Sequence, residues 1–244
     1  MMAAAKAAAD GASRPLLPPR RVLESPSAPT PSFMAEILVK ALLGYLAGSV
    51  VGSLLLGRLR GVDIRRLGSG NAGGTNALRT QGRGFALGVL VIDVLKAVLP
   101  IALLTGADLP AVPADPEVSR DVVAAVIGAA AVIGHCHPVF YGFRGGKGMA
   151  TLVGAYAALS PELLVPLAAA WLLVLLTTGY VGLATMLGAA VAPLWLAARG
   201  AAGMPLFVFA VAMAALIVFT HRSNIARMRA GTESRMLRAG RRGK

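Results

Sequence analysis

The sequence predicts an all-α polytopic membrane protein with seven transmembrane helices, an N-terminus outside and a C-terminus in the cytoplasm. Three observations support this fold class. Apolar residues make up 56% of the 244 residues, charged residues make up only 14%, and the mean hydropathy is +0.70, so the composition lies far from that of soluble domains. Apolar runs of about 20 residues, enough to cross a bilayer, recur along the chain. Basic residues are concentrated in alternate loops between these runs.

Seven apolar runs are candidates for the spans. The fourth run is short and begins inside a glycine-rich loop, so we expect a half-span or a tilted helix there. The predicted spans are residues 35–57, 84–106, 121–140, 148–160, 162–178, 182–199 and 204–221.

The distribution of charge between the runs predicts their orientation. The loop 58–83 carries basic residues against Asp63 alone, and the loop 141–147 and the segment after the last span are also basic. The loop 107–120 is acidic apart from Arg120. Seven spans with the N-terminus outside place every basic segment in the cytoplasm, whereas six spans would place some of them on the wrong side.

Residues 1–33 differ in composition from the rest of the chain. They are rich in Ala, Pro and Ser and contain no apolar run long enough to span a membrane, so we expect a disordered extension. Met34 opens the first span and is an alternative start of translation. Residues 34–233 then form the membrane domain, and residues 234–244 form a basic cytoplasmic tail.

The net charge of +13 raises the question of a nucleic-acid partner. The cations lie in loops beside apolar runs, which is typical of segments that face anionic lipid. Aromatic residues make up only 5% of the chain, and no nucleic-acid motif is present. We therefore expect the lipid bilayer, and not nucleic acid, as the partner.

Three polar motifs lie at the predicted cytoplasmic face. The first is the glycine-rich loop 68–79 (GSGNAGGTNALR), the second is the loop 143–151 (FRGGKGMAT), and the third is the segment 221–233 (HRSNIARMRAGTE). Glycines can expose backbone N–H groups to an anion, and an adjacent Arg or Lys supplies the opposite charge. The second loop is not a P-loop, because Gly148 follows the Gly-Lys pair where that motif requires Ser or Thr.

The three motifs, in this order and spacing over about residues 38–233, resemble the PlsY family of bacterial acyl-phosphate:glycerol-3-phosphate acyltransferases. The resemblance implies transfer of an acyl group from acyl phosphate to the 1-hydroxyl of glycerol 3-phosphate. The products would be 1-acylglycerol 3-phosphate (lysophosphatidate) and inorganic phosphate, and no cofactor would take part. The resemblance also implies a location in the bacterial cytoplasmic membrane and a peripheral partner, phosphate acyltransferase, that supplies the acyl phosphate.

The resemblance carries site residues onto this sequence position by position. Catalytic positions fall on Ser69, Arg79, Lys147, His221 and Asn224. Substrate-binding positions fall on Asn71, Thr75, Asn76, Gly145, Gly146, Gly148, Thr151, Thr185 and Glu233.

Several positions depart from the family pattern, and one of them is Val51, where the family usually has Pro. Gly182 stands where the family has Ser, and Gly179 stands where the family usually has Arg. We expect the change at Gly179 to remove one cation near the site.

The sequence does not identify the group that accepts the hydroxyl proton in this reaction. No His has an Asp five positions later, which is the arrangement of the other large class of glycerolipid acyltransferases. The resemblance suggests that the phosphate of the substrate accepts the hydroxyl proton, and His221 as general base is the alternative. Metal catalysis is not expected, because the run 135–137 (His-Cys-His) offers too few ligands for a closed tetrahedral site.

A second class of function, a small-molecule or ion transporter, is suggested by two charged residues inside the second predicted span. Asp93 and Lys96 lie three positions apart and so share a helix face. Ionisable residues inside a membrane are costly and are usually paired. We expect an internal ion pair, and the absence of symmetry between the two halves disfavours a transporter.

Overall fold

The structure is a computed structural model, and it describes residues 31–110, 112–201 and 204–236. These residues form ten α-helices, three short 3₁₀ turns and no β-strand longer than an isolated bridge. The all-α class predicted from the sequence is confirmed. The helices are α1 (Pro31–Gly48), α2 (Gly52–Leu59), α3 (Gly74–Gln81), α4 (Arg83–Leu104), α5 (Arg120–Cys136), α6 (Met149–Leu159), α7 (Leu164–Thr178), α8 (Val181–Ala198), α9 (Pro205–Thr220) and α10 (Arg222–Arg229).

Every predicted span contains a helix, but not every one of these helices is long enough to cross a membrane by itself. Within the described residues, four helices are long and apolar enough to cross a membrane, and six are if each of two bent helix pairs counts as one span. The bent pairs are α1 with α2, at 44°, and α9 with α10, at 50°. Helix α6 has 11 residues and a length of about 16 Å, roughly half of the hydrocarbon core. The count of seven spans therefore stays a prediction.

Two boundaries differ from the sequence prediction. The first span, predicted as continuous over 35–57, is interrupted between Gly48 and Gly52. Its helix begins at Pro31, inside the segment assigned to the disordered extension; residues 1–30 lie outside the described residues.

Helix α5 occupies the centre of the bundle and packs against α1, α4, α6 and α9. Small residues allow these close approaches. A Cβ on Gly134 of α5 would lie 2.3 Å from the carbonyl oxygen of Tyr45, and a Cβ on Gly48 of α1 would lie 2.1 Å from the carbonyl oxygen of Ala131. Between α6 and α4, a Cβ on Gly154 would lie 2.2 Å from the Val94 carbonyl oxygen. The helix backbones therefore touch directly at these crossings.

The break between α1 and α2 leaves backbone groups that no helix satisfies. The Nζ of Lys96 donates to the carbonyl of Val50 at 3.1 Å, and the N–H of Gly52 donates to Oδ1 of Asp93 at 3.0 Å. The expected ion pair between Asp93 and Lys96 is present at 3.0 Å, and both side chains are buried. The pair thus satisfies both open ends of the broken span, as buried backbone at membrane depth requires.

A second buried ionic cluster lies at the opposite end of the bundle. Glu36 near the start of α1 accepts hydrogen bonds from Lys40 at 2.7 Å and from Arg120, at the start of α5, at 2.6 Å. Arg120 also donates to the carbonyl of Thr105, which follows α4. These contacts tie the ends of three helices together on the side away from the three polar motifs.

Candidate active site

A cavity of about 1110 Å³ lies at the end of the bundle where α3, α6 and α8 begin and where α5 and α9 end. All three polar motifs contribute to its wall. Helix N-termini carry unpaired N–H groups and the positive end of the helix dipole, so the cavity is suited to an anion before any side chain is counted. Of the residues predicted for the site, those that line the cavity are Ser69, Asn71, Thr75, Asn76, Arg79, Lys147, Gly148, Thr185, His221, Asn224 and Glu233.

The first loop is held in shape by the buried side chain of Asn76. Its Oδ1 accepts a hydrogen bond from the N–H of Ser69 at 3.0 Å. Its Nδ2 donates to the carbonyls of Ile64, Leu67 and Asn71 at 3.0 to 3.1 Å. The amide of Asn76 is therefore committed to the loop, and its part in the site is to shape the loop rather than to bind a ligand directly.

The other polar side chains of this loop are available to a ligand. Ser69, Asn71, Thr75 and Arg79 line the cavity, and within the described part of the chain none of them makes a side-chain hydrogen bond to protein. The N-terminus of α3 adds backbone N–H groups beside Thr75. The loop thus offers hydroxyl, amide and guanidinium groups to one face.

The second loop differs from the sequence prediction at three positions. The N–H groups of Gly145 and Gly146 donate to the carbonyls of Cys136 and His135 at 3.2 and 3.1 Å, so they are not available to an anion. Neither glycine lines the cavity. Thr151 is fully buried and does not line it either. These residues fasten the loop to the end of α5, and their assignment to substrate binding is not supported by the geometry.

Gly148 does lie in the cavity wall, at the start of α6. Its φ of +93° is in the left-handed region, which favours glycine. A Cβ there would approach Val132, Cys136 and Ile217 within 3.0 to 3.3 Å. Glycine at this position lets the N-terminus of α6 face the cavity.

The third motif connects to Lys147 through a chain of polar contacts. The Nζ of Lys147 donates to Oδ1 of Asn224, and Nδ2 of Asn224 donates to Oε1 of Glu233 at 2.6 Å. The Nε of Arg227 donates to Oε2 of the same carboxylate at 2.6 Å. Burial lowers the pKa of Lys147 to about 8, and the nearby positive charge of Arg227 acts in the same direction. Glu233 thus orients both an amide and a second cation beside the lysine.

His221 follows α9 and has a defined hydrogen-bonding state. Its Nδ1 lies 2.7 Å from the carbonyl oxygen of Ile217. A carbonyl can only accept, so Nδ1 carries the proton, and the Nε2 of the neutral ring is an acceptor. The buried residue lines the cavity and offers this acceptor to a hydroxyl group.

The start of α8 completes this side of the wall. The hydroxyl of Thr185 donates to the carbonyl of Val181 at 2.8 Å and accepts from Nε1 of Trp171 at 3.3 Å. A Cβ on Gly182 would lie 2.7 Å from Nδ2 of Asn224. The glycine at this departure from the family pattern therefore leaves the space that the Asn224 amide occupies.

Another departure, Gly179, is contacted by the C-terminal segment. The side chain of Arg235 lies against Gly179, within 3.2 Å of the position of an added Cβ, and its guanidinium lies 4.6 Å from the centre of the Tyr180 ring. The N–H of Met236 donates to the carbonyl of Gly179 at 2.8 Å. Arg235 does not line the cavity, so the loss of one cation near the site stays a prediction, while the guanidinium of Arg235 supplies a positive charge beside Tyr180.

One side of the cavity is apolar. Leu87 and Leu90 also belong to the exposed surface of α4, with 62% and 48% of their areas accessible. A hydrocarbon chain could therefore pass between the cavity and the surface of the bundle, where lipid would lie. The apolar wall consists of Leu87, Leu90, Val153, Leu167 and Trp171.

Sequence reasoning did not assign Arg83, Asp93, His135 or Arg227 to the site, yet all four line the cavity. Arg83 lies four residues after Arg79, and Arg227 lies three residues after Asn224, so their positions within or beside the motifs were an available signal. The sequence predicts an ion pair for Asp93 and no metal site for the run that contains His135, and the packing of α4 against α5 brings both residues to the cavity. No group of three or more potential metal-ligating side chains occurs among the described residues.

Comparisons with known proteins agree on one family. Residues 38–231 match the family model described as glycerol-3-phosphate acyltransferase. A glycerol-3-phosphate acyltransferase of Geobacter sulfurreducens is 38% identical over 203 residues, which cover 83% of this chain and 98% of the relative. One of Rubrobacter xylanophilus is 40% identical over 200 residues, covering 82% and 94%.

A solved structure is also similar. The glycerol 3-phosphate form of PlsY (YgiH), an integral membrane glycerol 3-phosphate acyltransferase, superposes with a TM-score of 0.71 at 33% identity. The match covers 82% of this chain and 94% of that protein. Its lysophosphatidic acid form gives a TM-score of 0.69.

We expect the affinity for inorganic phosphate to fall as the pH rises through about 8. Below that pH Lys147 is an ammonium group that can pair with phosphate, and above it the side chain becomes a neutral amine. Calorimetric titration between about pH 7.5 and 9.5 tests this, because phosphate itself can only become more negative over that range, which would strengthen and not weaken its binding to a cation. Lys147→Arg is the control, since a guanidinium keeps its charge there; an equal fall in that variant would contradict the assignment.

Proposed function

This chain belongs to the glycerol-3-phosphate acyltransferase family, and we propose that its acyl donor is an acyl phosphate. The acyl group would pass to the 1-hydroxyl of glycerol 3-phosphate and give 1-acylglycerol 3-phosphate and inorganic phosphate. The observation that carries this proposal is one cavity with two kinds of wall. Its polar side has cations and three helix N-termini, and its apolar side reaches the exposed surface of α4.

The reaction requires two phosphate groups to lie close together, and the cavity supplies charge for both. Arg79 on α3 and Arg83 on α4 line it, and so do Lys147 of the second loop and Arg227 on α10. Glu233 is bound to Arg227 and Asn224, so its charge is already partly balanced. Arrays of fixed donors and cations of this kind stabilise charge that develops in the transition state.

We propose that a phosphate group of the substrate, and not a side chain of the protein, accepts the proton of the attacking hydroxyl group. The hydroxyl oxygen attacks the carbonyl carbon, the bond between that carbon and the phosphate oxygen breaks, and phosphate leaves with the electron pair. A phosphate oxygen takes the hydroxyl proton, so catalysis rests on positioning and on charge stabilisation. His221 would then bind and orient substrate through the acceptor at Nε2, beside Ser69 and Asn224.

The seven-span topology and the orientation are also proposals. The ends of α1, α5, α7 and α9 and the starts of α4, α6 and α8 share the end of the bundle that holds the cavity. Helices in such strict alternation agree with seven crossings, of which α6 would be a short one. The positive-inside rule places the basic loop before α4 in the cytoplasm, so that acyl phosphate from a peripheral phosphate acyltransferase would meet the site at the cytoplasmic face of the bacterial membrane.

The transport alternative receives no support from the geometry. The Asp93–Lys96 pair that suggested it is bound to the backbone of Val50 and Gly52 at the α1–α2 break. Charged residues committed in this way hold the helices together and do not form a free path across the membrane.

We expect purified protein to form lysophosphatidate from palmitoyl phosphate and glycerol 3-phosphate, and not from palmitoyl coenzyme A. Arg79→Ala should lower kcat/KM by about 100- to 1000-fold, because the phosphate loses a charged donor in the transition state. Arg66→Ala is the matched control, since Arg66 is exposed and does not line the cavity. Near-native turnover of Arg79→Ala would remove that residue from the site, and turnover with the coenzyme A ester alone would contradict the proposed donor.

His221→Gln separates substrate-assisted chemistry from a histidine base. If the ring only binds substrate, we expect a raised KM for glycerol 3-phosphate with kcat partly retained, because glutamine keeps a hydrogen-bonding group there. If the ring is the base, kcat should be undetectable at saturating substrate in a variant that still binds glycerol 3-phosphate. Steady-state kinetics of a correctly folded variant decide between the two.

Cysteine labelling tests the orientation. In a Cys136→Ala background, an impermeant maleimide should label Glu117→Cys in intact cells and Arg66→Cys only after the membrane is opened, because the first lies in the acidic loop and the second in the basic one. Both wild-type residues are exposed, so access through the protein is equal. The reverse labelling pattern would contradict the proposed topology.

A further inference from the structure

His135 is a buried residue of the cavity wall that the mechanism above does not use. It lies at the end of α5, with only 2% of its area accessible, and it contacts the ion pair at the α1–α2 break. Its Nδ1 is 2.7 Å from Nζ of Lys96 and 3.4 Å from Oδ1 of Asp93. These contacts define which ring nitrogen carries the proton.

The surroundings of Lys96 fix the tautomer of His135. An ammonium group has three hydrogens, and Nζ of Lys96 has three neighbours: Oδ1 of Asp93 at 3.0 Å, the carbonyl of Val50 at 3.1 Å and Nδ1 of His135. The first two can only accept, so the third hydrogen points to Nδ1, which must be unprotonated. The reverse assignment, a neutral amine beside a protonated Nδ1, would leave the carboxylate of Asp93 as an uncompensated buried charge.

A neutral imidazole with an unprotonated Nδ1 carries its hydrogen on Nε2. That nitrogen lies beneath the second loop, where a Cβ on Gly146 would be 2.1 Å from it, one residue before Lys147. Within the described residues the Nε2–H has no acceptor. His135 lines the wall of a cavity suited to phosphate, so a ligand in the cavity can supply the acceptor that the protein does not.

We propose that the Nε2–H of His135 donates a hydrogen bond to a phosphate oxygen of the substrate, and that Lys96 is the positioning residue that holds this tautomer. The inference rests on the proposed function of the cavity. His221 is the complement, because its Nδ1–H is bound to Ile217 and its Nε2 is an acceptor. One cavity therefore contains a neutral imidazole donor for an anion and a neutral imidazole acceptor for a hydroxyl.

Long-range ¹H–¹⁵N NMR on protein labelled in its histidine rings tests the proposal. The chain has three histidines, and the exposed His137 can be replaced with Gln to leave two spin systems. We expect His135 to show an unprotonated Nδ1 and a protonated Nε2, and His221 to show the reverse. Lys96→Met should remove the preference of His135 for the tautomer protonated at Nε2 and should leave the tautomer of His221 unchanged.

Ligand addition then tests the contact itself. Saturating glycerol 3-phosphate, or in a separate sample an acyl phosphonate in place of acyl phosphate, should move the Nε2–H proton of His135 downfield. The sample in which it moves identifies which of the two phosphates is bound there. A protonated Nδ1 on His135, or an Nε2–H that moves with neither ligand in a sample that turns over palmitoyl phosphate, would overturn the proposal while the proposed function stands.

Two variants connect the spectrum to catalysis. His135→Phe removes the donor and should lower kcat/KM by about 10- to 100-fold, as expected for a lost hydrogen bond to a charged group. His135→Gln can place an amide N–H near the position of Nε2 and should recover part of that loss. Equal activity of the two variants would count against a donor role. Movement of the Nε2–H in a protein that fails to turn over any acyl phosphate would support the contact and count against the function.

Discussion

The buried Asp93–Lys96 pair is the interaction on which the arrangement of the site depends. It satisfies the backbone at the break between α1 and α2, and so permits a bend that would otherwise leave an open N–H and an open carbonyl inside the bilayer. The bend redirects α2, whose Ser53 donates to the carbonyl of Ala72 at 2.8 Å. Ala72 belongs to the first glycine-rich loop, which is therefore positioned by a charge pair that a substrate need never touch.

The second constraint is electrostatic. With acyl phosphate as the proposed donor, the site would hold two phosphates that repel each other, and it would have to supply positive charge without burying unpaired cations. The positive potential of the cavity comes from helix N-termini, which carry no net charge, and from cationic side chains whose neighbours lower the free-energy cost of burying them. Lys147, the half-buried cation of the second loop, is bound to the neutral amide of Asn224, and Arg227 is bound to Glu233. Displacing the Lys147–Asn224 bond by a phosphate oxygen would replace a neutral acceptor with an anionic one.

Sequence reasoning succeeded where a feature is local. Hydropathy predicted the helices, because a run of about 20 apolar residues can be recognised without any knowledge of packing. The motifs indicated Ser69, Arg79, Lys147 and Asn224, and these four residues line one cavity. It failed where the partner is distant in the chain. The break at residues 49–51 is invisible in hydropathy, since Ser49, Val50 and Val51 continue an apolar run and the groups that stabilise the break come from α4.

The same limit explains where the geometry gives a residue of the motifs a different role from the predicted one. A glycine in the sequence indicates that another group lies close to the backbone, but it does not identify that group. The backbone of Gly145 and Gly146 contacts the end of α5, whereas Gly148 lines the cavity. Asn76 has a side-chain amide that could bind a ligand, but this amide makes its hydrogen bonds within its own loop. The place of Arg235 beside Gly179 depends on the C-terminal segment folding back across α8, which no local pattern encodes.

That folding back has a consequence for the order in which the protein is made. Lys147 precedes α6 in the chain, whereas the residues that orient it, Asn224 and Glu233, and the segment that packs against Gly179 follow α9 and are synthesised after it. A nascent chain that has inserted its first helices would therefore hold loops without a working centre. Each molecule would become competent for chemistry only after the third motif has been synthesised.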